Sequence, residues 1–180
     1  VTRYYGNTAV GSLALRSDTS GLYNSAIGYE AMRLNLSGAN NTATGHQSLM
    51  NNETGDNNTA IGRNALLTNT SGSGNTAIGH NANVSTGALN NATAIGANAY
   101  VTTSNSLVLG SVTGANTATA STNVGIGTIT PRARLHVVKD GEVGGGLIQT
   151  FSAAVIENNA GTNYLQLLNP VTGDAGLISG

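Results

Sequence analysis

Asn58-Thr59-Ala60-Ile61-Gly62 is followed seventeen residues later by Asn75-Thr76-Ala77-Ile78-Gly79, and this phrase organises most of the chain. Upstream it reads Asn41-Thr42-Ala43-Thr44-Gly45, Asn24-Ser25-Ala26-Ile27-Gly28 and Asn7-Thr8-Ala9-Val10-Gly11. Downstream it continues as Ala92-Thr93-Ala94-Ile95-Gly96 and, more loosely, Ser106-Leu107-Val108-Leu109-Gly110. The glycines at 11, 28, 45, 62, 79, 96 and 110 are separated by 17 residues five times and then by 14. A fixed period of this length marks a repeat architecture in which each unit buries its apolar surface against its neighbours.

Each unit has the same internal order. Residues of strand type lead into the Gly, with Thr/Ser and Val/Ile on one face and Ala on the other, because side chains alternate along a strand. The larger aliphatic side chain is expected to point inward. A second short apolar pair follows, Ala14-Leu15, Ala31-Met32, Ser48-Leu49 and Ala65-Leu66, and is read as a second strand. A polar stretch then closes on Ser20-Gly21, Ser37-Gly38, Thr54-Gly55 and Ser71-Gly72, which is turn chemistry. The unit is therefore strand, corner, strand and longer loop, with Asn at stacked loop positions. Stacking gives an all-β, parallel β-solenoid (β-roll) of 17-residue coils. At about 4.8 Å per coil, six to seven coils span roughly 30 Å. A helical repeat is disfavoured, since Thr, Asn and Gly dominate every unit.

Composition agrees. Only 8% of residues are charged and 4% aromatic, with 25 Gly, two Pro and no Trp, whereas an ordinary domain carries about 25% charge. The low charge also argues against disorder driven by self-repulsion. The net charge of −1, with scattered basic residues, gives no reason to expect nucleic acid or an anionic membrane as partner. No stretch approaches the ~18 apolar residues of a spanning helix. With no Cys, neither disulfides nor thiolate chemistry enters. The opening Val-Thr-Arg-Tyr-Tyr has no signal-like core and reads as part of a longer or processed chain.

The expected core is thin: one Val/Ile, one Leu/Met and two Ala per coil. That gains about 3–6 kcal/mol, against an ordering cost of about 1–2 kcal/mol for each of 17 backbone residues before hydrogen bonding. A slender monomer looks marginal on this arithmetic, and a homo-oligomer, a trimer above all, is expected. The small column at Ala9, Ala26, Ala43, Ala60, Ala77 and Ala94 suits close approach of two sheets.

These phrases resemble the head repeats of trimeric autotransporter adhesins (YadA-like), which form a left-handed parallel β-roll. The closest style is that of phage or contractile-injection tail-fibre proteins. A second motif, Asn123-Val124-Gly125-Ile126-Gly127-Thr128 followed by Pro131-Arg132-Ala133-Arg134-Leu135-His136-Val137, is similar to a junction in such fibres, often upstream of an endosialidase-type intramolecular chaperone. The resemblance covers about residues 5–137. It implies a homotrimer, an extracellular location on a virion, an injection machine or a bacterial surface, and attachment to a cell-surface glycan or protein receptor. The domain division is then 1–120 for the repeats, 121–137 for a junction or neck, and 138–180 for the start of a second, small β-domain. Strand-like runs in that last part lie at 147–148, 153–156, 164–168 and 176–178, between Gly and Asn turns.

Chemistry is sparse. His46 and His80 share a column two coils, or about 10 Å, apart, too far for one metal, and Arg63 lies between them. Three copies of His46 around a threefold axis could hold an ion, but Arg63 argues against it. Both histidines read as exposed loop residues, and His136 as structural. Asp18, Glu30, Glu53 and Asp56 fall at different repeat positions, not as the facing carboxylate pair a glycosidase needs. Gly125-x-Gly127 lacks the third Gly and helix of a dinucleotide site, and the recurring Asp of calcium-binding Gly repeats is missing. No catalytic residue, metal or cofactor is assigned. Tyr4, Tyr5, Tyr23 and Tyr29 cluster near the start and are candidates for stacking on sugars, with packing or capping of the solenoid end as the plainer role. The Thr/Ser column at 8, 25, 42, 59, 76 and 93 raises ice binding as an alternative function, weakened if Ile on the same face points inward. A fibre-borne glycan hydrolase is a third.

Overall fold

A computed structural model describes residues 6–137. The chain divides into two units, Val1–Val137 and Val138–Gly180; the described residues belong to the first. The runs and small β-domain expected over 138–180 lie outside them.

The described residues are all-β, without a helix. Strands β1 (Thr8–Val10), β2 (Ser25–Ile27), β3 (Thr42–Thr44), β4 (Thr59–Ile61) and β5 (Thr76–Ile78) follow at the 17-residue period. β6 (Asn83–Val84), β7 (Ala92–Ile95), β8 (Tyr100–Val101) and β9 (Ser106–Leu109) complete the stack. β1-β2-β3-β4-β5-β7-β9 form one seven-stranded parallel sheet, β6 pairs with β8, and β10 (Val124–Ile126) pairs with β11 (Leu135–Val137). Register is strict: Ala26 lies beside Ala43, Ala43 beside Ala60, Ala60 beside Ala77 and Ala77 beside Ala94. The stacked coils of the described residues form a parallel β-solenoid.

The interior reverses the expected polarity of the strands. Ala26, Ala43, Ala60, Ala77 and Ala94 are fully buried, whereas Ile27, Ile61, Ile78 and Ile95 are 38–44% exposed. Alternation correctly places Thr with Ile and Ala opposite them, but that Thr/Ile face is the outside. The reason is space. Across the narrow coil the strand Ala meets Ala31, Ala65 or Ala82 and the fully buried Met32, Leu49 or Leu66, which leaves no room for a second branched side chain. The core of a coil is therefore one Leu/Met and two small residues, poorer than the sequence suggests.

Asparagine fills the rest. Asn24, Asn41, Asn58 and Asn75 are wholly buried and form a ladder in which each Oδ1 accepts the backbone N–H one coil on. Asn41 N–H donates to Asn24 (2.9 Å), Asn58 N–H to Asn41 (2.9 Å) and Asn75 N–H to Asn58 (2.9 Å). The Nδ2 groups of Asn24, Asn41 and Asn58 donate to the carbonyls of the loop glycines Gly38, Gly55 and Gly72, and that of Asn75 to the Leu89 carbonyl (2.6 Å). A second buried ladder runs beside it: Asn69 Nδ2 donates to Asn52 Oδ1 (2.8 Å), Asn52 Nδ2 to Asn35 Oδ1 (2.9 Å) and Asn35 Nδ2 to Asp18 Oδ1 (2.8 Å). Burying a polar group is costly unless it is bonded, and here both ends of each amide find partners. Asp18 ends the second ladder, where only an acceptor is required.

The second apolar pair is not a strand in the early coils. Gly28–Asn35 is a run of tight turns closed by Ala31 N–H to Gly28 O (3.4 Å), Arg33 N–H to Glu30 O (3.2 Å) and Asn35 N–H to Met32 O (3.1 Å). The third residue of the first two turns takes positive φ, and that includes Leu15, Met32, Leu49 and Leu66 at φ 49–51°. A left-handed non-Gly residue costs about 1–2 kcal/mol, and burying a Leu or Met side chain stabilises by about 1.5–3 kcal/mol, so burial outweighs strain. Strand geometry takes over on this wall only at β6 and β8, where Val84 and Val101 replace the leucines in the core.

The corners need glycine. Gly45 has φ 134°, and a Cβ there would lie 2.6 Å from the Gly62 carbonyl oxygen. After β9 the segment around Ala118 folds back, with Asn116 Nδ2 donating to the Asn81 carbonyl and Gly114 N–H to Ala118 O (2.9 Å).

Candidate functional site

The sheet's outer face is set by short, parallel strands in strict register. It carries three columns. The first is Thr8, Ser25, Thr42, Thr59, Thr76, Thr93 and Leu107; the second is Val10, Ile27, Thr44, Ile61, Ile78, Ile95 and Leu109. Neither contains a charge. The third lies just past the glycine corner and runs Ser12, Tyr29, His46, Arg63, His80 and Ala97, every member exposed.

The third column is held in step by its backbone. The carbonyls of Ser12, Tyr29, His46, Arg63 and His80 each accept an N–H from the following coil, at 2.8–2.9 Å. Its side chains are thus set about one rung, 4.8 Å, apart. Tyr29 and His46 stack, with ring centroids 5.2 Å apart and planes 24° from parallel. His46 and His80 occupy one exposed column with Arg63 between them, as their spacing requires.

Of the four tyrosines, the two that are described do not converge. Tyr4 and Tyr5 lie outside the described residues. Tyr23 sits before β2 at φ 58° with its ring against Gly6, whereas Tyr29 follows the corner after β2, on the far side of the strand. Tyr29 gains a partner that sequence reasoning missed, although a common position in adjacent repeats was the available signal.

Three of the four described carboxylates are engaged structurally. Asp18 accepts from Asn7, Asn35 and the Gly21 N–H. Glu30 is buried, pairs with Arg33 at 3.0 Å and accepts from Gln47 at 2.7 Å. Asp56 accepts the Ala39 N–H at 2.7 Å. Among the described residues no group of three or more His, Cys, Asp or Glu is placed to hold a metal ion, and no helix is long and apolar enough to cross a membrane. No protein-family model, curated protein or solved structure matches the chain.

Proposed function

We propose that this chain is a structural and attachment segment of an extracellular, homotrimeric fibre on a virion, an injection machine or a bacterial surface. In this reading it presents a surface to a cell-surface glycan or protein receptor and performs no catalysis. The observation that supports it most is the outward aliphatic row. Val10, Ile27, Ile61, Ile78, Ile95 and Leu109 all remain 38–55% exposed on one uncharged face, while the coil's own core is small. Full burial of such a side chain stabilises by about 1.5–3 kcal/mol, so covering the exposed part returns about 1 kcal/mol each. Summed along the row this is about 6 kcal/mol per chain before the cost of association. Identical chains packed around a common axis would cover this row.

Sedimentation or light scattering tests it. The intact chain is expected to behave as a trimer, and the pair Ile61→Glu and Ile78→Glu, which places charges in the row, to yield monomer. A wild-type monomer would refute the proposal.

One observation favours a second reading. Thr and Ile share the outward face of a sheet in strict register, which removes the main argument against ice binding. The two readings use the same face and separate cleanly: a monomer with thermal hysteresis replaces the fibre, and a trimer without it retains the fibre.

A further inference from the structure

We propose that residues 111–122 are a built-in strap that locks the last three coils into one unit, so that the solenoid opens coil by coil from its first coil. The device acts whether or not the chain is part of a fibre.

Between residues 6 and 110 every hydrogen bond between coils joins neighbours in the stack. A stack held that way is a row of nearest-neighbour contacts, able to open from either end. Asn116 departs from this pattern. Its Nδ2 donates to the Asn81 carbonyl, 35 residues and two coils back. Thr117 Oγ1 lies 3.5 Å from Asn98 Oδ1 in the coil between, and Asn81 Nδ2 donates to the same Asn98 Oδ1 at 3.3 Å. The last coil therefore cannot lift away until its tie to the coil two below is broken.

Both halves of this contact are prepared. On the strap, Thr122 N–H donates to Ser111 O (3.0 Å), Ser111 Oγ to Ala120 O (2.7 Å) and Gly114 N–H to Ala118 O (2.9 Å), and Ala118 is buried. Its tip holds two successive non-glycine residues left-handed, Asn116 at φ 45° and Thr117 at φ 65°. Such a conformation is an outlier for a β-branched residue, and strain of this kind persists only where the surroundings over-determine it. On the solenoid, the carbonyl equivalent to that of Asn81 closes a turn of its own coil at Glu30, which accepts the Arg33 N–H, and at Asn64, which accepts the Leu67 N–H. At Asn81 that turn gives way to β6, and the carbonyl takes Asn116 instead.

The first coil has no such tie among the described residues. Ala9 is exposed, although Ala26, Ala43, Ala60, Ala77 and Ala94 in the same register are wholly buried. Leu15 is half-buried, where Met32, Leu49 and Leu66 are fully covered.

The corner glycines supply one matched reporter per rung. The N–H groups of Gly28, Gly45, Gly62, Gly79, Gly96 and Gly110 each donate to a carbonyl of the preceding coil at 2.7–2.8 Å. Native-state hydrogen exchange on the intact chain reads them one by one. Gly79, Gly96 and Gly110 are expected to share one protection factor within about twofold, at least about tenfold above that of Gly28. Asn116→Ala is expected to lower protection at Gly110 about tenfold, the size of one lost hydrogen bond, and to leave Gly28 and Gly45 unchanged. Asn116→Asp keeps a residue that tolerates positive φ but removes the donor, and is expected to act in the same way. Equal protection at every rung, or a maximum at Gly62 with both ends lower, overturns the proposal. Wild-type protection of Gly110 in Asn116→Asp overturns it too, as does a drop spread evenly over all six glycines. Light scattering on the same samples reports the fibre reading separately.

Discussion

Asn57 and Asn58 are the same residue type, adjacent in sequence, and the structure predicts opposite outcomes for removing them. Asn58 is fully buried. Its Oδ1 accepts the Asn75 N–H and its Nδ2 donates to the Gly72 carbonyl, both at 2.9 Å. In Asn58→Ala the Gly72 carbonyl keeps its bond from Asn69 Nδ2 (3.0 Å), but the Asn75 N–H is left buried without a partner. An orphaned buried donor costs about 1–3 kcal/mol and each lost bond about 1 kcal/mol, so with the small void the total is about 3 kcal/mol. Asn57 is exposed, adopts φ 58° and makes no side-chain hydrogen bond among those described. Asn57→Gly suits that φ and is expected to stay within about 0.5 kcal/mol of wild type. Urea denaturation of both variants, with oligomeric state held constant, measures the difference. If Asn58→Ala unfolds within 0.5 kcal/mol of wild type, the ladder is not what holds adjacent coils, and the account of the core given above fails.

Three further outcomes follow from the packing. Gly45→Ala drives a Cβ to 2.6 Å from the Gly62 carbonyl at φ 134°, so it is expected to cost about 3 kcal/mol or more, read as a lowered urea midpoint. Ala60→Val adds two methyl groups opposite Leu66 in a filled interior and is expected to destabilise by about 1–3 kcal/mol, although valine is the better strand former; a stabilised variant would show unfilled space. Leu49→Ala removes a fully buried side chain and is expected to cost about 2–5 kcal/mol. The strain at φ 51° persists in that variant and is not recovered, so Leu49→Gly should be no worse than Leu49→Ala in the same denaturation assay.

Period, corners and parallel stacking were legible because they depend on spacing and on glycine, and both are explicit in the letters. The faces were only half legible. Alternation puts Thr59 with Ile61 and Ala60 opposite, but it does not say which side is inward. Hydrophobicity chooses Ile61; the width of a 17-residue coil chooses Ala60, because Leu66 already occupies the far wall. The second segment was read as a strand because Ala65-Leu66 is an apolar pair. Nothing in a leucine announces φ 50°, and only its repetition beside Asn64, at φ 57°, hints at tight turns. Asn24, Asn41 and Asn58 were legible as a stacked series but not as core, since burial of an amide depends on partners supplied by other coils. The Tyr29–His46 contact was implicit in their shared repeat position, and the exposure of His46 and His80 was read correctly from their place after the corner glycine.

The asparagine ladders have a direction: every buried Oδ1 on the first one looks toward the next coil's N–H, and the last acceptor used is Asn75, which takes the N–H of Ala92 at 2.9 Å. Each coil therefore leaves behind the same unspent acceptor that it consumed. This makes length a countable variable. Duplication of any 17-residue block adds one rung of about 4.8 Å with every bond restored, whereas an insertion of another size throws two ladders and a glycine column out of phase together. A gene encoding such a chain can thus adjust reach by copying blocks, and the 14-residue step between Gly96 and Gly110 falls where the asparagine series has already ended.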